Sequence, residues 1–150
     1  MTEKNLRYVY IAGPITKGSP FENVKRAILE GDSLVEHGFF PFVPHLTALW
    51  AMVAGDKTFE KWLVYDEAWL LKCDCVLRLE GESLGADREV EFAKKHGIPV
   101  FYSTSDLYAA RKAWASQSTS TTGSVPVAGP SQPSIYTSVP TVENNATKMI

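Results

Sequence analysis

The sequence predicts an α/β protein, a three-layer sandwich around a mostly parallel sheet of four to five strands. Two observations lead to this prediction. Short runs of β-branched and aromatic residues alternate along the chain with segments whose apolar residues recur every three or four positions. Because a helix separates each strand from the next, the strands are expected to be joined by right-handed parallel crossovers.

The elements follow from local signals taken in order. The first strand, 8–12, is rich in Val, Ile and Tyr and ends at Gly13 and Pro14. Ser19 and Pro20 are typical of a helix N-cap and first turn, and Gly38 ends that helix. The strands are predicted at 8–12, 39–43, 75–79 and 98–102, and the helices at 20–37, 59–71, 84–96 and 106–114.

The composition divides the chain into a globular domain, 1–114, and a tail, 115–150. The tail holds seven Ser, six Thr and four Pro but only two charged side chains, Glu143 and Lys148. Such a segment has too little apolar surface to offset the entropy lost on ordering, so we expect it to be disordered.

The charge balance and the cysteines restrict the class of protein. The 150 residues carry 15 Lys and Arg against 17 Asp and Glu, a net charge of −2, which argues against nucleic acid as a partner. No apolar run reaches the roughly 18–20 residues needed to cross a bilayer, so no membrane association is expected. Cys73 and Cys75 lie on one short apolar stretch without a second Cys/His cluster. The chain is therefore interpreted as a cytoplasmic protein with reduced thiols and no bound metal.

Two loops after predicted strands are the expected places for a ligand. In open sheets of the flavodoxin or Rossmann type, ligands bind beyond the carboxyl ends of the strands. The first loop, 13–19, combines small residues, hydroxyls and Lys17 just before a helix N-terminus, where backbone N–H groups can receive an anion. It lacks the spacing of a Walker or dinucleotide motif, and a plain turn is an equal alternative.

The second loop leads into the helix that carries Glu89. Ser83 is the expected N-cap of this helix, and Glu89 lies six residues later, where its carboxylate can face the strand ends. A carboxylate in that place is a candidate nucleophile or base. The alternative is that Glu89 and its acidic neighbours only favour the positive end of the helix dipole.

Asp66 and His45 are further candidates. Asp66 has Trp62 and Trp69 three or four residues away on the same helix side, and such surroundings raise the pKa of a carboxyl and suit it to act as an acid. An exposed Asp66 beside core tryptophans is the alternative. His45 follows the second strand and can face the same edge, although a loop histidine without function fits as well.

Taken together, these segments resemble the nucleoside 2-deoxyribosyltransferase-like superfamily, which includes deoxyribosyltransferases, 2′-deoxynucleoside 5′-monophosphate N-hydrolases and related small phage and bacterial proteins. The resemblance covers roughly residues 7–103 and rests on order and spacing. The matching segments are 10–15 (YIAGPI), 65–70 (YDEAWL), 73–76 (CDCV), 83–89 (SLGADRE) and 97–101 (GIPVF).

The resemblance implies roles for individual residues. Glu89 falls on the family's nucleophile and Asp66 on its acidic partner. Ser83 falls where the hydrolases carry a Ser that contacts the 5′-phosphate and the transferases an Asp that holds the 5′-hydroxyl, so a nucleotide substrate is favoured. Asp87 is a departure that adds negative charge nearby. Substrate contacts are expected from Gly13, Pro14, Ile15, Thr16, Lys17, His45, Trp69, Ser83 and Gly85.

The expected activity is cleavage of the N-glycosidic bond of a (deoxy)nucleoside 5′-monophosphate through a glycosyl-enzyme intermediate on Glu89. Base exchange by a nucleoside 2-deoxyribosyltransferase is the first alternative, and a catalytically inactive nucleotide-binding module is the second. The chemistry needs no metal or other cofactor. The resemblance also implies a homo-oligomer, a dimer or larger.

Overall fold

The computed structural model describes residues 6–118, with side chains to residue 116. It is an α/β sandwich around a four-stranded sheet, as the sequence predicts. The elements are β1 (Tyr8–Ala12), α1 (Pro20–Glu36), β2 (Phe40–Phe42), a 3₁₀ turn (Pro44–Leu46), α2 (Thr47–Ala54), α3 (Phe59–Leu70), β3 (Cys75–Arg78), α4 (Leu84–Lys95), β4 (Val100–Phe101) and α5 (Thr104–Ser118).

The four strands are all parallel and lie in the order β2-β1-β3-β4. The chain therefore changes direction across the sheet after β2, so the carboxyl ends of β1 and β3 adjoin at the switch point. In this register Tyr10 of β1 lies between Phe42 of β2 and Val76 of β3. β2 is an edge strand, which is where a sheet tolerates a proline such as Pro41.

Helices cover both faces of the sheet. Ala27 and Leu34 of α1 and Leu107 of α5 pack with Val9 and Ile11 on one face. On the other face, the cluster comprises Tyr10, Ala12, Leu70, Cys73, Val76, Ala86, Ala93 and Ile98, so α3 and α4 belong to this side. Successive side chains of β1 point to opposite faces of the sheet, so the two clusters lie on opposite faces. The sheet and the helices on either side of it form three layers.

The helix starts agree with the predicted caps. Ser19 accepts a hydrogen bond from the Glu22 amide, and Ser83 accepts one from the Ala86 amide at 3.2 Å. Strands β2 and β4 are shorter than predicted. β4 begins at Val100, after Pro99, whose carbonyl accepts a hydrogen bond of 2.9 Å from the Val76 amide but which has no N–H of its own for the ladder.

Two differences concern helices. Helix α2 was not expected, since residues 47–54 are nearly all apolar and offer neither a polar face nor a capping side chain. Helix α5 begins at Thr104 and continues to Ser118, so the boundary at 114/115 falls inside a helix. The rest of the expected disordered tail lies outside the described residues. No helix between residues 6 and 118 combines the length and apolarity needed to cross a bilayer.

Candidate active site

Glu89 is buried between α4 and the sheet. It lies in the second turn of α4, six residues after the Ser83 cap, and only 8% of it is exposed. The hydroxyl of Tyr10, a fully buried residue in the middle of β1, donates a hydrogen bond of 2.8 Å to Glu89 Oε1. The carboxyl therefore points at the face of the sheet below the strand ends. Glu89 lies beyond the first turn of α4, so the alternative that it only favours the helix dipole as a first-turn acid is wrong.

The surroundings of Glu89 favour its protonated form. Burial raises its pKa to about 8, the Tyr10 hydrogen bond and the Arg78 charge oppose this shift, and the charge of Asp66 adds to it. The pKa of Tyr10 is likewise raised well above its usual value, first by burial and then by Glu89. Tyr10 thus stays a hydrogen-bond donor and stabilises the carboxylate whenever Glu89 ionises.

Asp66 of α3 faces the same space. It is half-buried, and its Oδ1 is buried without a hydrogen-bond partner among the described residues. Burial raises its pKa to about 6, and its charge in turn raises the pKa values of Tyr10 and Glu89. An exposed, solvated Asp66 is therefore excluded. An acceptor left unpaired in the protein is available to a ligand, because a buried polar atom without a partner is costly.

Aromatic rings form a wall beside the two carboxyl groups. Phe42 of β2 stacks against Trp69 with ring centroids 5.1 Å apart and against Tyr10 at 5.6 Å. Trp69 also makes an edge contact with Tyr65, and 44% of its surface remains exposed. The row continues along α3 and α2 through Tyr65, Trp62 and Trp50. A partly exposed flat ring next to an acid suits a planar heterocycle.

The first loop and His45 are brought together at the end of β1. A methyl group added to Gly13 would lie 3.1 Å from Leu79 Cβ and 3.3 Å from His45 Nε2, so no larger residue fits without displacement. His45 is buried, and neither ring nitrogen has a hydrogen-bond partner of ordinary geometry among the described residues. Burial lowers its pKa to about 4, opposed by the Pro14 backbone and reinforced by Arg26, so the ring is neutral at pH 7.

Two other residues expected in the first loop, Pro14 and Lys17, line a separate pocket. This pocket of about 350 Å³ lies between the loops after β1 and β3 and does not include Glu89 or Asp66. Lys17 is ion-paired with Glu82, so its charge is partly neutralised, whereas the Arg26 guanidinium donates to the Glu80 carbonyl at 2.6 Å. The lining residues are Pro14, Lys17, Gly18, Asn23, Arg26, Glu80, Gly81 and Glu82.

Three expected contacts remain without a distinctive role in the structure. Thr16 is exposed, and Ile15 is half-buried, with its carbonyl accepting a hydrogen bond from Asn23. A Cβ on Gly85 would meet only Ser83 Oγ, at 3.9 Å, so the protein itself does not require a glycine there.

The hydroxyl of Ser83 accepts the cap bond from Ala86 and keeps its proton available for donation.

Arg78 and Tyr10 are site residues that sequence reasoning missed. Arg78 ends β3, is buried, and donates to the carbonyls of Leu79 and Gly81. It also forms an ion pair of 2.9 Å with Asp87, which neutralises the charge that Asp87 brings to this loop. The sequence signal that could have identified Arg78 and Tyr10 is a charged or hydroxylated residue within an otherwise apolar strand. The described residues contain no cluster of three or more His, Cys, Asp or Glu side chains that could hold a metal ion.

A comparison with known protein families identifies the central part of the chain. Residues 7–102 match the model of a domain of unknown function, DUF4406. The protein belongs to the DUF4406 family. No curated protein matches the chain. The DUF4406 segment runs from β1 through β4 and contains Tyr10, Asp66 and Glu89, whereas α5 follows it.

Proposed function

We propose that this DUF4406 protein cleaves the N-glycosidic bond of a (deoxy)nucleoside 5′-monophosphate. The observation that supports the proposal most is the buried Glu89 carboxyl, which accepts a hydrogen bond from Tyr10 and faces Asp66 beside the aromatic wall. Two neighbouring carboxyl groups next to a flat aromatic surface suit the breaking of a bond between a sugar and a base.

The reaction divides into two steps. Ionised Glu89 attacks C1′ and forms a glycosyl ester, while the electron pair of the C1′–N bond leaves with the base, which Asp66 protonates or hydrogen-bonds. Water then attacks C1′ and gives a proton to the Asp66 carboxylate, the C1′–O bond of the ester breaks, and the sugar phosphate and the Glu89 carboxylate are released. When a second base replaces water, the same intermediate yields base exchange, the transferase alternative.

The protonation states of Glu89 and Asp66 predict how kcat/KM depends on pH. The productive form keeps one proton on the pair, on Asp66, and leaves Glu89 ionised. Because Glu89 has the higher pKa, this is the less populated of the two one-proton forms. One-proton forms of the pair dominate between its two apparent pKa values, which are about 6 and about 8. We therefore expect kcat/KM to follow a bell with limbs near these two values.

Recognition of a 5′-phosphate is favoured by the start of α4. The Ser83 hydroxyl can donate to a phosphate oxygen, the first turn of α4 presents backbone N–H groups, and Arg78 neutralises Asp87. Lys17 can contribute its charge if the phosphate displaces Glu82. Charge-assisted hydrogen bonds contribute roughly 1.5–3 kcal/mol each, so two of them would favour the monophosphate over the nucleoside by about a hundredfold.

Base release is the test of the proposal. The protein is incubated with deoxynucleoside monophosphates and deoxynucleosides, with and without a second free base, and products are separated by chromatography. We expect free base from a monophosphate, loss of the activity in Glu89→Ala, and normal activity in Glu91→Ala, a control on an exposed glutamate of the same helix. A folded Glu89→Ala protein with unchanged turnover would refute the nucleophile assignment.

A second variant tests the preference for a monophosphate over a nucleoside. Ser83→Asp places a negative charge where the phosphate is expected and should narrow or reverse the preference for the monophosphate in kcat/KM. A wild-type preference for the nucleoside would favour the transferase alternative. Binding of monophosphates without release of base would favour the second alternative, the inactive nucleotide-binding module. The high pKa of Glu89 favours this alternative, because a protonated carboxyl group cannot act as the nucleophile.

A further inference from the structure

The pocket between the loops after β1 and β3 contains neither Glu89 nor Asp66, yet it is large enough for a ligand. Its volume is about 350 Å³, and pockets that hold small molecules begin at about 300 Å³. It lies beyond the carboxyl ends of two adjoining strands, at the switch point where ligands of such sheets bind. We call it the loop pocket; residues between 14 and 26 and residues 80–82 line it.

The walls of the loop pocket are held in place by the protein itself. The side-chain amide of Asn23 donates to two carbonyls of the first loop, at 3.2 Å and 2.7 Å. Gly81 has a φ of 114°, a backbone conformation that favours glycine. A Cβ on Gly81 would also lie 3.0 Å from Pro14 Cγ and 3.7 Å from Arg26 Nη2. The glycine therefore keeps open the space in front of Arg26.

Arg26 places a positive charge without a counter-ion in this pocket. The residue is half-buried, and its guanidinium donates to the Glu80 carbonyl at 2.6 Å. It forms no ion pair with a carboxylate of residues 6–116, and its Nε is buried without a hydrogen-bond partner in the same part of the chain. A partly desolvated cation of this kind favours an anionic ligand, which can form charge-assisted hydrogen bonds with it.

The second cation of the loop pocket, Lys17, has a partner that a ligand can replace. Lys17 forms an ion pair with Glu82, and 59% and 78% of the two side chains are exposed. Because exposed pairs contribute little to stability, a phosphate group can take the place of the Glu82 carboxylate, which then turns into solvent. Glu80 is exposed as well, and its carbonyl is the group that accepts from Arg26. Neither carboxylate therefore blocks an anion.

The loop pocket adjoins the place expected for the 5′-phosphate. Its wall ends at Glu82, and the next residue in the chain is Ser83, the expected phosphate contact. Consecutive Cα atoms lie about 3.8 Å apart, so the two places share a border. A second phosphate joined to a 5′-phosphate at Ser83 would therefore reach the loop pocket.

We propose that the loop pocket binds the β-phosphate of a (deoxy)nucleoside 5′-diphosphate, and that this diphosphate is a better substrate than the monophosphate. The assignment rests on the proposed function, because the pocket extends the same site. Ser83 and the start of α4 hold the α-phosphate, while Arg26 and the released Lys17 hold the β-phosphate. The bond that breaks is still the C1′–N bond. The phosphoanhydride bond stays intact, and the products are the free base and the sugar diphosphate.

The first experiment compares kcat/KM for base release from a deoxynucleoside 5′-diphosphate and from the monophosphate of the same base. In the wild type we expect the diphosphate to be favoured about tenfold or more, since it gains at least one charge-assisted hydrogen bond. This preference should be lost in Arg26→Met and kept in Lys25→Met, a control on an exposed neighbouring cation that pairs with Glu22. Base release from the monophosphate without a preference for the diphosphate would overturn the assignment and leave the proposed function intact. A preference that Arg26→Met does not change would overturn it as well.

The second experiment does not depend on base release. Inorganic pyrophosphate and inorganic phosphate are titrated separately into the full chain and followed by calorimetry. We expect the wild type and Lys25→Met to bind pyrophosphate about tenfold or more tightly than phosphate, Arg26→Lys to keep part of this preference, and Arg26→Met to lose it. Equal affinity of the wild type for the two ions would overturn the loop pocket as a phosphate site. The pyrophosphate preference without base release from any nucleotide would support the pocket and refute the cleavage. Far-UV circular dichroism confirms that each variant is folded.

Discussion

The two faces of the sheet are built from the same strands but contain different chemistry. Val9 and Ile11 of β1 face a cluster whose buried members are apolar, whereas Tyr10 between them faces Glu89 and Asp66. The difference shows how β-strand alternation can assign stability and chemistry to opposite sides of one strand. The face toward α1 and α5 contributes to stability through burial, and the face toward α3 and α4 loses some stability because it contains partly desolvated carboxyl groups.

The largest expected effect is the loss of base release on the face toward α3 and α4, which is called the polar face because it contains Glu89 and Asp66. Glu89→Gln keeps the size of the side chain but cannot form the glycosyl ester, so base release should fall at least about a thousandfold. Single-turnover assays of base release measure the effect, and Glu91→Gln serves as the control. A Glu89→Gln protein with near wild-type turnover would show that the polar face is not where the chemistry occurs.

The corresponding change on the apolar face should affect stability instead. Leu34 of α1 is fully buried, and Leu34→Ala should lower the free energy of unfolding by about 3 kcal/mol, through lost burial and the cavity that remains. Turnover of the folded protein, measured well below its melting temperature, should stay the same. A large loss of turnover in the folded fraction would mean that the two faces are coupled.

The same Glu89→Gln variant should raise stability at neutral and alkaline pH. The pKa of Glu89 is about 8 in the folded protein and near its usual value of 4.5 in the unfolded chain, so the folded state holds the extra proton. Stability therefore falls as pH rises from about 4.5 to about 8, by an amount on the order of a few kcal/mol. Urea unfolding from pH 4 to pH 9 should show this slope reduced in Glu89→Gln, and an unchanged slope would contradict the raised pKa.

Asp66→Asn separates the acid role from binding. An amide cannot give a proton to the leaving base, so kcat should fall about a hundredfold while KM changes little. The alkaline limb near pH 8 should also disappear, because the productive form then needs only Glu89 to be ionised. Should KM alone change, Asp66 would be a binding residue.

Tyr10→Phe is expected to have the smallest effect. Without the donor, the Glu89 carboxylate is less stabilised and its pKa rises, so kcat/KM should fall about tenfold and the alkaline limb should move above its wild-type position. Tyr8→Phe, two residues earlier on the same strand and half exposed, is the matched control. If the alkaline limb does not move in Tyr10→Phe, the hydrogen bond from Tyr10 to Glu89 has no role in the mechanism.

Local signals made most of the fold predictable. The caps at Ser19 and Ser83 and the apolar runs of the strands depend on residues within one turn or one strand, and they predicted the four strands and helices α1, α3, α4 and α5 in the correct order. Helix α2 was missed because its apolar side chains have no periodicity to detect. Helix α5 was ended too early, since the composition of residues 115–118 resembles that of the tail while their backbone continues the helix.

The candidate site was predictable only in part. Spacing from the Ser83 cap showed only that Glu89 can face the strand ends, and the neighbouring tryptophans left both a shielded and an exposed Asp66 open. The Tyr10 hydrogen bond joins residues 79 positions apart, and the ion pair of Lys17 with Glu82 joins two loops. Such contacts depend on how helices dock on the sheet, which no local pattern in a single sequence specifies.

Arg78 has a consequence for how freely the loop after β3 can vary. Its guanidinium holds the Leu79 and Gly81 carbonyls and the Asp87 side chain from the strand side, and Arg26 holds the Glu80 carbonyl, so the backbone of the loop is held at three positions without the help of the Glu80 and Glu82 side chains. Exposed positions such as Glu80 and Glu82 can therefore accept substitutions while Ser83 and the start of α4 stay in place. The sequence of the loop can therefore vary without moving the Glu89 carboxyl group, which lies one and a half turns farther along the helix.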